Sequence, residues 1–232
     1  MKESACKSKI GLMNKSQGKK IMKKFDEIQS AIKSIYREPR AELEFSNNFE
    51  LLVAVVLSAQ CTDKRVNSVT KVLFEVAGTP EKMASLSLDR IEEIIKPCGF
   101  FHMKAKSLKS LSEDIVSNHG GCVPEKKEDL KKLRGVGEKT ANVVIANAFS
   151  TPAIAVDTHV FRVSNRLGIA KGKTPLEVQR KLEKHFPSEF WIDLHHSLVL
   201  HGRYVCKARK PDCEKCGLNG YCEFFRKSQH KK

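Results

Sequence analysis

The sequence predicts an all-α protein, and three features of its pattern support that fold class. Apolar residues recur three and four positions apart over nearly the whole chain after residue 20, which is the period of a helix with one buried face. The strict alternation typical of half-buried strands is almost absent. Hydrophobic residues make up 41% of the 232 residues, a fraction typical of a globular protein with a packed core.

About ten short helices follow one another along the chain. The second, near residues 49–59, is apolar on every side, which is typical of a central helix. The first shows helical spacing that stops at Pro39, with apolar residues Ile21, Phe25, Ile28, Ile32 and Ile35. The others are predicted at 67–77, 89–96, 104–118, 126–133, 138–149, 158–167, 175–185 and 192–201. After His201 the apolar period gives way to Cys, Lys, Gly and Pro, which indicates a small loop-rich module.

The charge balance points to a polyanionic partner. Lys and Arg total 42 against 27 Asp and Glu, so the formal net charge is +15. Such a surplus favours binding to nucleic acid. No apolar run approaches the ~18–20 residues that cross a bilayer, and no basic amphipathic helix with an aromatic face stands out. Residues 1–20, with six Lys and one Glu, are predicted to form a flexible basic tail.

Four of the eight cysteines lie close together in the last 27 residues. Because no secretory signal is evident, we expect a reducing intracellular setting, where clustered thiols bind metal more often than they form disulfides. Their spacing, C-x6-C-x2-C-x5-C, is compatible with zinc or with an iron–sulfur cluster, and the residues alone do not decide between them. The cluster ligands would be Cys206, Cys213, Cys216 and Cys222. Lys207, Arg209 and Lys210 lie in the first loop, where a metal would hold them rigid against phosphates.

A glycine turn separates two of the predicted helices, in the segment Leu133-Arg134-Gly135-Val136-Gly137-Glu138-Lys139-Thr140. It is not a P-loop, because Gly137 is followed by Glu and a helix precedes it. We interpret it as a helix–hairpin–helix, in which glycines permit a positive φ and free amides cradle a phosphate. An ordinary αα-hairpin turn is the alternative.

Two residues at predicted helix starts are candidates for catalysis. Lys139 falls in the first turn, where the positive end of the helix dipole disfavours a charged amine. A neutral amine is what a Schiff-base nucleophile requires. Asp157 precedes the next helix, where an Asp is most often an N-cap, although an anion there could also stabilise a developing sugar cation.

Several motifs in order resemble the endonuclease III family of DNA glycosylases. They are Leu57-Ser58-Ala59-Gln60, the hairpin through Lys139, Val156-Asp157-Thr158-His159, His201-Gly202-Arg203-Tyr204 and the four cysteines. The resemblance covers residues 21 to about 225. It implies a helix–hairpin–helix DNA glycosylase fold with a DNA cleft between two domains. Residues 41–151 would form a six-helix barrel with the hairpin at 126–149, and residues 21–40 and 152–232 an iron–sulfur domain with its cluster loop at 206–222.

The resemblance also implies the chemistry. The four cysteines would hold a [4Fe–4S] cluster, Lys139 would be the nucleophile and Asp157 its assistant. The protein would be a bifunctional glycosylase and AP lyase that removes oxidised pyrimidines and cleaves 3′ to the abasic site by β-elimination. Gln60 would fill the space left by the flipped base.

The loop Gly99–His102 would carry the wedge that enters the DNA, where the family often has Leu in place of Phe100. The ring of Phe100 can also wedge between bases, and His102 would contact DNA beside it. Arg134 replaces a frequent Pro of the hairpin and adds a phosphate contact. We assign Cys61 and Cys98 to packing.

Two alternatives stay open. A monofunctional glycosylase of the adenine-mismatch type usually lacks the hairpin Lys and has an extra C-terminal domain. A non-enzymatic iron–sulfur DNA-binding protein would need neither Lys139 nor Asp157. The expected partner is double-stranded DNA with damaged bases or abasic sites, bound by a monomer that uses no membrane. If the source is bacterial, we expect a cytoplasmic, nucleoid-associated protein.

Overall fold

A computed structural model describes the backbone of residues 15–229 and the side chains of residues 23–229. Within this range the chain is helical, with no strand, and the predicted all-α class is confirmed. Its α-helices are α1 Lys15–Ile35, α2 Asn48–Leu57, α3 Asp63–Ala77, α4 Pro80–Ser85, α5 Leu88–Ile95, α6 Phe101–Asn118, α7 Lys127–Leu130, α8 Glu138–Phe149, α9 Thr158–Leu167, α10 Pro175–His185, α11 Trp191–Tyr204 and α12 Glu223–Gln229. Two 3-10 helices lie at 188–190 and 219–221.

The first hydrophobic core is built around α2 by the helices of the middle of the chain. Nine of the ten residues of α2 are buried, so this helix is central, as its apolar sequence predicts. Helix α8 packs on α2, and α6 packs on both α4 and α5. Helix α3 contacts α2, α4 and α5. The buried residues of this core all fall within residues 49–153, and the partly buried Leu43 and Ile192 pack against it.

The second core joins the two ends of the described chain. Helix α1 contributes Phe25, Ile28 and Ile32, which fall on one helical face. The other members come from residues 154–222, above all from the contact between α9 and α11. A segment of residues 36–47 links α1 to the first core.

Short polar side chains cap the start of six of the twelve α-helices within residues 15–229. Asn47 accepts a hydrogen bond from the Glu50 amide at 2.9 Å, while the Glu50 carboxylate accepts one from the Ser46 amide at 2.6 Å. Thr62, Thr79, Ser87 and Thr174 cap α3, α4, α5 and α10 in the same way. Such caps satisfy amides that the first turn leaves without a partner, which explains why these helices begin where they do.

Several predicted boundaries were wrong. Helices α4 and α12 were not expected, because six or seven residues are too few to show a period. Helix α1 begins at Lys15, so residues 15–20 of the predicted tail are helical, and residues 1–14 lie outside the described range. Helix α6 begins at Phe101, so the predicted loop 99–102 shortens to Gly99 and Phe100.

None of the helices in residues 15–229 is both long enough and apolar enough to cross a membrane.

Candidate active site

Lys139 is the second residue of α8 and is exposed. Gly137 occupies the N-cap position of this helix and offers no side chain to the first-turn amides. Glu138 forms ion pairs with Lys127 and with Lys131, the latter at 2.8 Å. The amine of Lys139 therefore stands beside a helix terminus whose positive end is free for an anion.

Asp157 caps α9, as the simpler interpretation of the sequence predicts. Its Oδ1 accepts hydrogen bonds from the amides of His159 at 2.8 Å and Val160 at 2.7 Å. Within residues 23–229 no other hydrogen bond involves this carboxylate, so Oδ2 is left for a ligand. Two amide hydrogen bonds hold the side chain in one orientation.

Lys139 and Asp157 line the same cavity, of about 140 Å³, although they belong to different helices. The cavity lies where α2, α8, α9 and α11 meet the segment that links the two cores. Ten of its seventeen lining residues are polar or charged, and the other seven are apolar. The lining residues are Arg40, Ala41, Glu42, Leu43, Val55, Ser58, Ala59, Asp63, Lys139, Thr140, Val143, Asp157, His195, His196, Val199, Leu200 and Arg203.

A pair of buried histidines on α11 closes the back of this cavity. The Nδ1 atom of His195 lies 2.8 Å from the carbonyl oxygen of Ala155, two residues before Asp157. The Nε2 atom of His196 lies 3.0 Å from Oδ1 of Asn147, on the helix that carries Lys139. Burial lowers the pKa of His195, and burial together with the neighbouring His195 lowers the pKa of His196 to about 3. Both rings are therefore neutral at physiological pH and fix the segments that carry Lys139 and Asp157 against one helix.

Arg203 joins three parts of the chain at the cavity wall. Its guanidinium binds the carboxylate of Glu42 and, at 2.6 Å, that of Asp63. Tyr204 donates its hydroxyl hydrogen to Glu42 as well. Burial alone would raise the pKa of Glu42, but the hydrogen bonds from Tyr204 and Arg203 lower it. The ion pairs hold the linking segment and the start of α3 against α11.

In the glycine turn, the backbone at Gly135 lies too close to α6 to leave room for a side chain. Gly135 has a φ of +86°, and a Cβ atom there would lie 2.9 Å from the Cβ atom of Ser107 on α6. Gly137 has an ordinary φ of −93°, and a Cβ there would meet nothing within 4 Å. Val136 is buried, whereas Arg134 is exposed. Glycine is thus required at position 135, because of the positive φ and because a Cβ would collide with Ser107. At position 137 no side chain covers the first-turn amides of α8.

Left-handed backbone conformations coincide with the residues predicted to touch DNA. Among the described residues only Gln60, Phe100, Ser150 and Lys210 are non-glycine residues with positive φ. Three of these four are predicted DNA contacts. Phe100 is also 66% exposed, the largest fraction among the exposed large apolar side chains of the described residues. Strained backbone that persists beside exposed side chains is typical of functional segments.

The loops of Gln60 and Phe100 lie side by side. A Cβ atom at Gly99 would lie 3.7 Å from the carbonyl oxygen of Gln60. Lys104, only 7% exposed, reaches from α6 and donates hydrogen bonds to the carbonyl oxygens of Leu57 and Ala59, both at 2.8 Å. One lysine therefore closes the end of α2 and fixes the two loops relative to each other.

His102, a predicted DNA contact, and Cys98, a thiol assigned to packing, each have a nearby partner. The ring of His102 is exposed, and its Nδ1 lies 2.6 Å from the carboxylate of Glu92. Burial, and then the adjacent Cys61, raises the pKa of the Cys98 thiol to about 11. A thiol with so high a pKa forms little reactive thiolate, which agrees with the packing role assigned from the sequence.

The four C-terminal cysteines line one cavity, whose apolar walls include Leu167, Phe224 and Phe225. Burial raises the pKa of the Cys213 and Cys216 thiols, and the neighbouring cysteines raise both further. Four thiols this close repel one another as thiolates, and the positive charge of bound iron relieves that repulsion. The donor set and its apolar wall therefore fit an iron–sulfur cluster.

Arginines of α9 hold the cluster loop. Arg166 donates to the carbonyl oxygens of Lys207 at 2.7 Å and Ala208 at 2.9 Å, and it lies 3.5 Å from the sulfur of Cys206. Arg162 donates to the carbonyl oxygen of Cys206 at 3.0 Å. The side chains of Lys207, Arg209 and Lys210 point into solvent from this fixed backbone.

The sequence interpretation missed residues of the site, notably Lys104 and His195, and it quoted Arg203 within a motif without giving it a role. Lys104 carried a signal, because it occurs at helical spacing with the buried residues Leu108, Leu111 and Ile115 of α6. A charged residue on a buried face needs a partner. The hydrogen bonds of His195 and Arg203 join residues that are 40 and 161 positions apart in the sequence. No pattern of neighbouring residues could therefore predict them.

Comparisons with known proteins agree with this geometry. The model of the HhH-GPD superfamily of base excision DNA repair proteins matches residues 53–188, and that of the iron–sulfur binding domain of endonuclease III matches residues 206–222. Endonuclease III of Haemophilus influenzae is 48% identical over 201 residues, which are 87% of this chain and 95% of that protein.

Solved structures show the same likeness. The protein of a non-covalent endonuclease III–DNA complex superposes with a TM-score of 0.85 at 42% identity, covering 90% of this chain and 98% of the other. That of a trapped endonuclease III–DNA covalent intermediate gives a TM-score of 0.82 at 42% identity, covering 94% and 100%.

Proposed function

The chain belongs to the endonuclease III family of the HhH-GPD superfamily of base excision DNA repair proteins, and on this premise we propose that it is a bifunctional DNA glycosylase and AP lyase. Its substrate is double-stranded DNA with an oxidised pyrimidine or an abasic site. A solved relative is a covalent endonuclease III–DNA intermediate, the kind of adduct that a nucleophilic amine forms. The observation that carries the proposal is the placement of Lys139 and Asp157 on one cavity.

The first step is base flipping. A base inside a duplex is out of reach, so the damaged nucleotide must rotate out of the stack at a cost of a few kcal/mol. Phe100 enters the duplex as the wedge, and Gln60 fills the vacated space. Both residues are exposed and adjacent, and Lys104 holds their loops.

The second step breaks the glycosidic bond. The nitrogen lone pair of Lys139 forms a bond to C1′ of the sugar, and the C1′–N bond breaks with its electron pair going to the leaving base, which takes up a proton. Asp157, held by its two amide hydrogen bonds, stabilises the positive charge that develops on the sugar. A preorganised carboxylate needs no rearrangement to do so.

The third step breaks the strand. Loss of a proton from nitrogen and opening of the sugar ring leave an iminium ion between Lys139 and C1′, which acidifies the C2′ proton. Removal of that proton forms the C2′–C3′ double bond and expels the 3′ phosphate. Water then hydrolyses the Schiff base and regenerates Lys139.

DNA is held by contacts that do not read its sequence. The open start of α8 beyond Gly137 presents backbone amides to a phosphate, with Arg134 and Val136 in the same turn. Arg209 and Lys210 add a second basic contact from the cluster loop, and His102 a third beside the wedge. The net charge of +15 agrees with this mode of binding.

Cys206, Cys213, Cys216 and Cys222, which line one cavity, would hold the [4Fe–4S] cluster, and their bonds to it would fix the loop that carries these basic residues. When bound, it supplies iron–thiolate bonds that tie four points of a loop-rich segment together, and a redox couple. The two hydrophobic cores support the division into a barrel domain of residues 41–151 and a cluster domain of residues 21–40 and 152–232. The active-site cavity would be part of the cleft between them.

The protein would act as a monomer on nucleoid DNA in the bacterial cytoplasm. A bacterial relative with 48% identity and the strongly basic composition support this setting.

The decisive experiment is borohydride trapping on duplex DNA with one abasic site. Borohydride reduces the Schiff base to a stable amine, so the parent protein should give a covalent protein–DNA band, and Lys139→Gln should give none. Lys132→Gln is the matched control, because Lys132 is an exposed lysine of the same region that pairs with Asp129 at 2.8 Å. A full-strength band from Lys139→Gln would overturn the assignment of the nucleophile.

Substrate choice separates the alternatives. We expect strand cleavage of duplexes that carry an oxidised pyrimidine and no release of adenine from a mismatch. Base release without strand cleavage or trapping would indicate a monofunctional glycosylase. Tight DNA binding without any product would indicate a binding protein.

A further inference from the structure

A chain of two hydrogen bonds leads from the end of helix α1 to a cluster ligand. The hydroxyl of Tyr36, the first residue after α1, lies 2.8 Å from Nδ1 of His201. Nε2 of the same ring lies 3.4 Å from the sulfur of Cys216. His201 is only 2% exposed, so no solvent competes for either nitrogen.

The state of Cys216 determines the direction of both hydrogen bonds. A neutral imidazole has one N–H donor and one acceptor nitrogen. A cysteine that ligates iron is a thiolate without a proton, so it can only accept. Nε2–H of His201 must therefore donate to the sulfur, and Nδ1 must accept the hydrogen of the Tyr36 hydroxyl.

We propose that Tyr36 and His201 form a relay that donates a hydrogen bond to the Cys216 thiolate and thereby sets the reduction potential of the cluster. The proposal rests on the cluster assigned above and not on the lyase step. A hydrogen bond to a cluster sulfur stabilises negative charge, and does so more in the reduced state, which carries one more electron. The bond therefore raises the potential. Tyr36 and His201 are positioning residues, since neither touches DNA or the reacting sugar.

The experiment is a potentiometric titration of anaerobic, full-length protein whose iron and acid-labile sulfide have been measured. His201→Phe keeps a planar ring but removes the donor, and we expect a more negative midpoint potential. His201→Gln keeps an N–H donor near the position of Nε2 and should stay close to the parent. Tyr36→Phe removes only the hydroxyl and should shift the potential in the same direction as His201→Phe, but less.

Tyr221→Phe is the matched control. Tyr221 is next to the ligand Cys222 and partly buried, but its hydroxyl makes no hydrogen bond within residues 23–229. It should leave the potential unchanged. A cluster-loaded His201→Phe protein with the parent potential would overturn the proposal, as would equal shifts in the Phe and Gln variants.

If His201→Phe does not assemble a cluster, Tyr36→Phe decides: a potential equal to that of Tyr221→Phe refutes the relay. A parent protein without iron and sulfide would remove the cluster assignment, and the relay with it. Trapping on abasic DNA would still test Lys139 in that case, so the two failures are distinguishable.

Discussion

The ammonium group of Lys104 lies 2.8 Å from the carbonyl oxygen of Leu57, the last residue of α2. A cation at a helix C-terminus interacts favourably with the dipole and satisfies carbonyls that the helix leaves open. The same ammonium binds the carbonyl oxygen of Ala59, directly before Gln60. The end of α2 and the position of the loop proposed to contact DNA thus both depend on one side chain.

Lys104→Met should therefore destabilise the protein and weaken damage processing together. Loss of two charge-assisted hydrogen bonds leaves two carbonyls without partners, which costs on the order of 2–3 kcal/mol. Lys106→Met is the control, because Lys106 is exposed on the same helix. Urea unfolding and trapping assays measure both effects, and similar stability losses in the two variants would refute the role of Lys104.

Phe100→Gly should make the protein more stable and less active. The φ of 57° strains any side chain at this position, and glycine relieves that strain at some cost in chain entropy, for a net gain of up to about 1 kcal/mol. The wedge is lost, so excision from duplex DNA should fall. Phe100→Ala loses the ring but keeps the strain, and it should lower activity without the gain. Equal stabilities of the Gly and Ala variants would count against stored strain.

Gly135→Ala and Gly137→Ala should differ although they lie two residues apart. At Gly135 a Cβ meets both a positive φ and Ser107, so we expect a loss of about 1–2 kcal/mol or more and weaker DNA binding. At Gly137 the space is open, and the loss should stay under about 1 kcal/mol. Thermal unfolding and binding to abasic DNA test this order, and the reverse order would contradict the turn geometry.

Asp157→Asn should separate the two roles of this residue. Asn caps helices about as well as Asp, so stability should hold, while loss of the charge should slow base excision by about 10²–10³-fold. Asp157→Ala should lose activity and also about 1 kcal/mol of stability. Thr174→Ala removes the cap of α10 and should cost stability only. Full activity of the Asp157→Asn variant would show that Asp157 serves only as the N-cap of α9.

His196 predicts a pH dependence of stability. Its pKa falls from 6.5 to about 3 on burial, so between these values the unfolded chain binds more protons than the folded one. Stability contributed by the neutral ring is therefore full above pH 6.5 and decreases as the pH falls, by up to about 1.4 kcal/mol per pH unit. His196→Leu should flatten the pH dependence of urea unfolding below pH 6.5, and an unchanged slope would contradict this assignment.

The sequence predicted what depends on neighbours along the chain. The apolar run of α2 predicted a central helix, and the cysteine spacing with the family resemblance predicted the cluster. The hairpin lysine and the cap before α9 were also evident, because glycine turns and caps are local signals.

What the sequence could not supply were contacts between distant segments. The meeting of Lys139 with Asp157 in one cavity depends on how α8 and α9 pack on α11, and the Arg203 pair with Glu42 spans 161 residues. Short helices such as α4 were missed because six residues contain less than two turns.

The composition of the second core has a consequence for how the chain folds during synthesis. The apolar face of α1 leaves the ribosome first, but its partners on residues 154–222 are made last. Closing so long a loop is slow, and the first core, built from contiguous residues, can form before it. Nascent chains halted when residues 49–153 have left the ribosome and residues 154–222 have not should therefore contain a protease-resistant middle segment and a protease-sensitive α1.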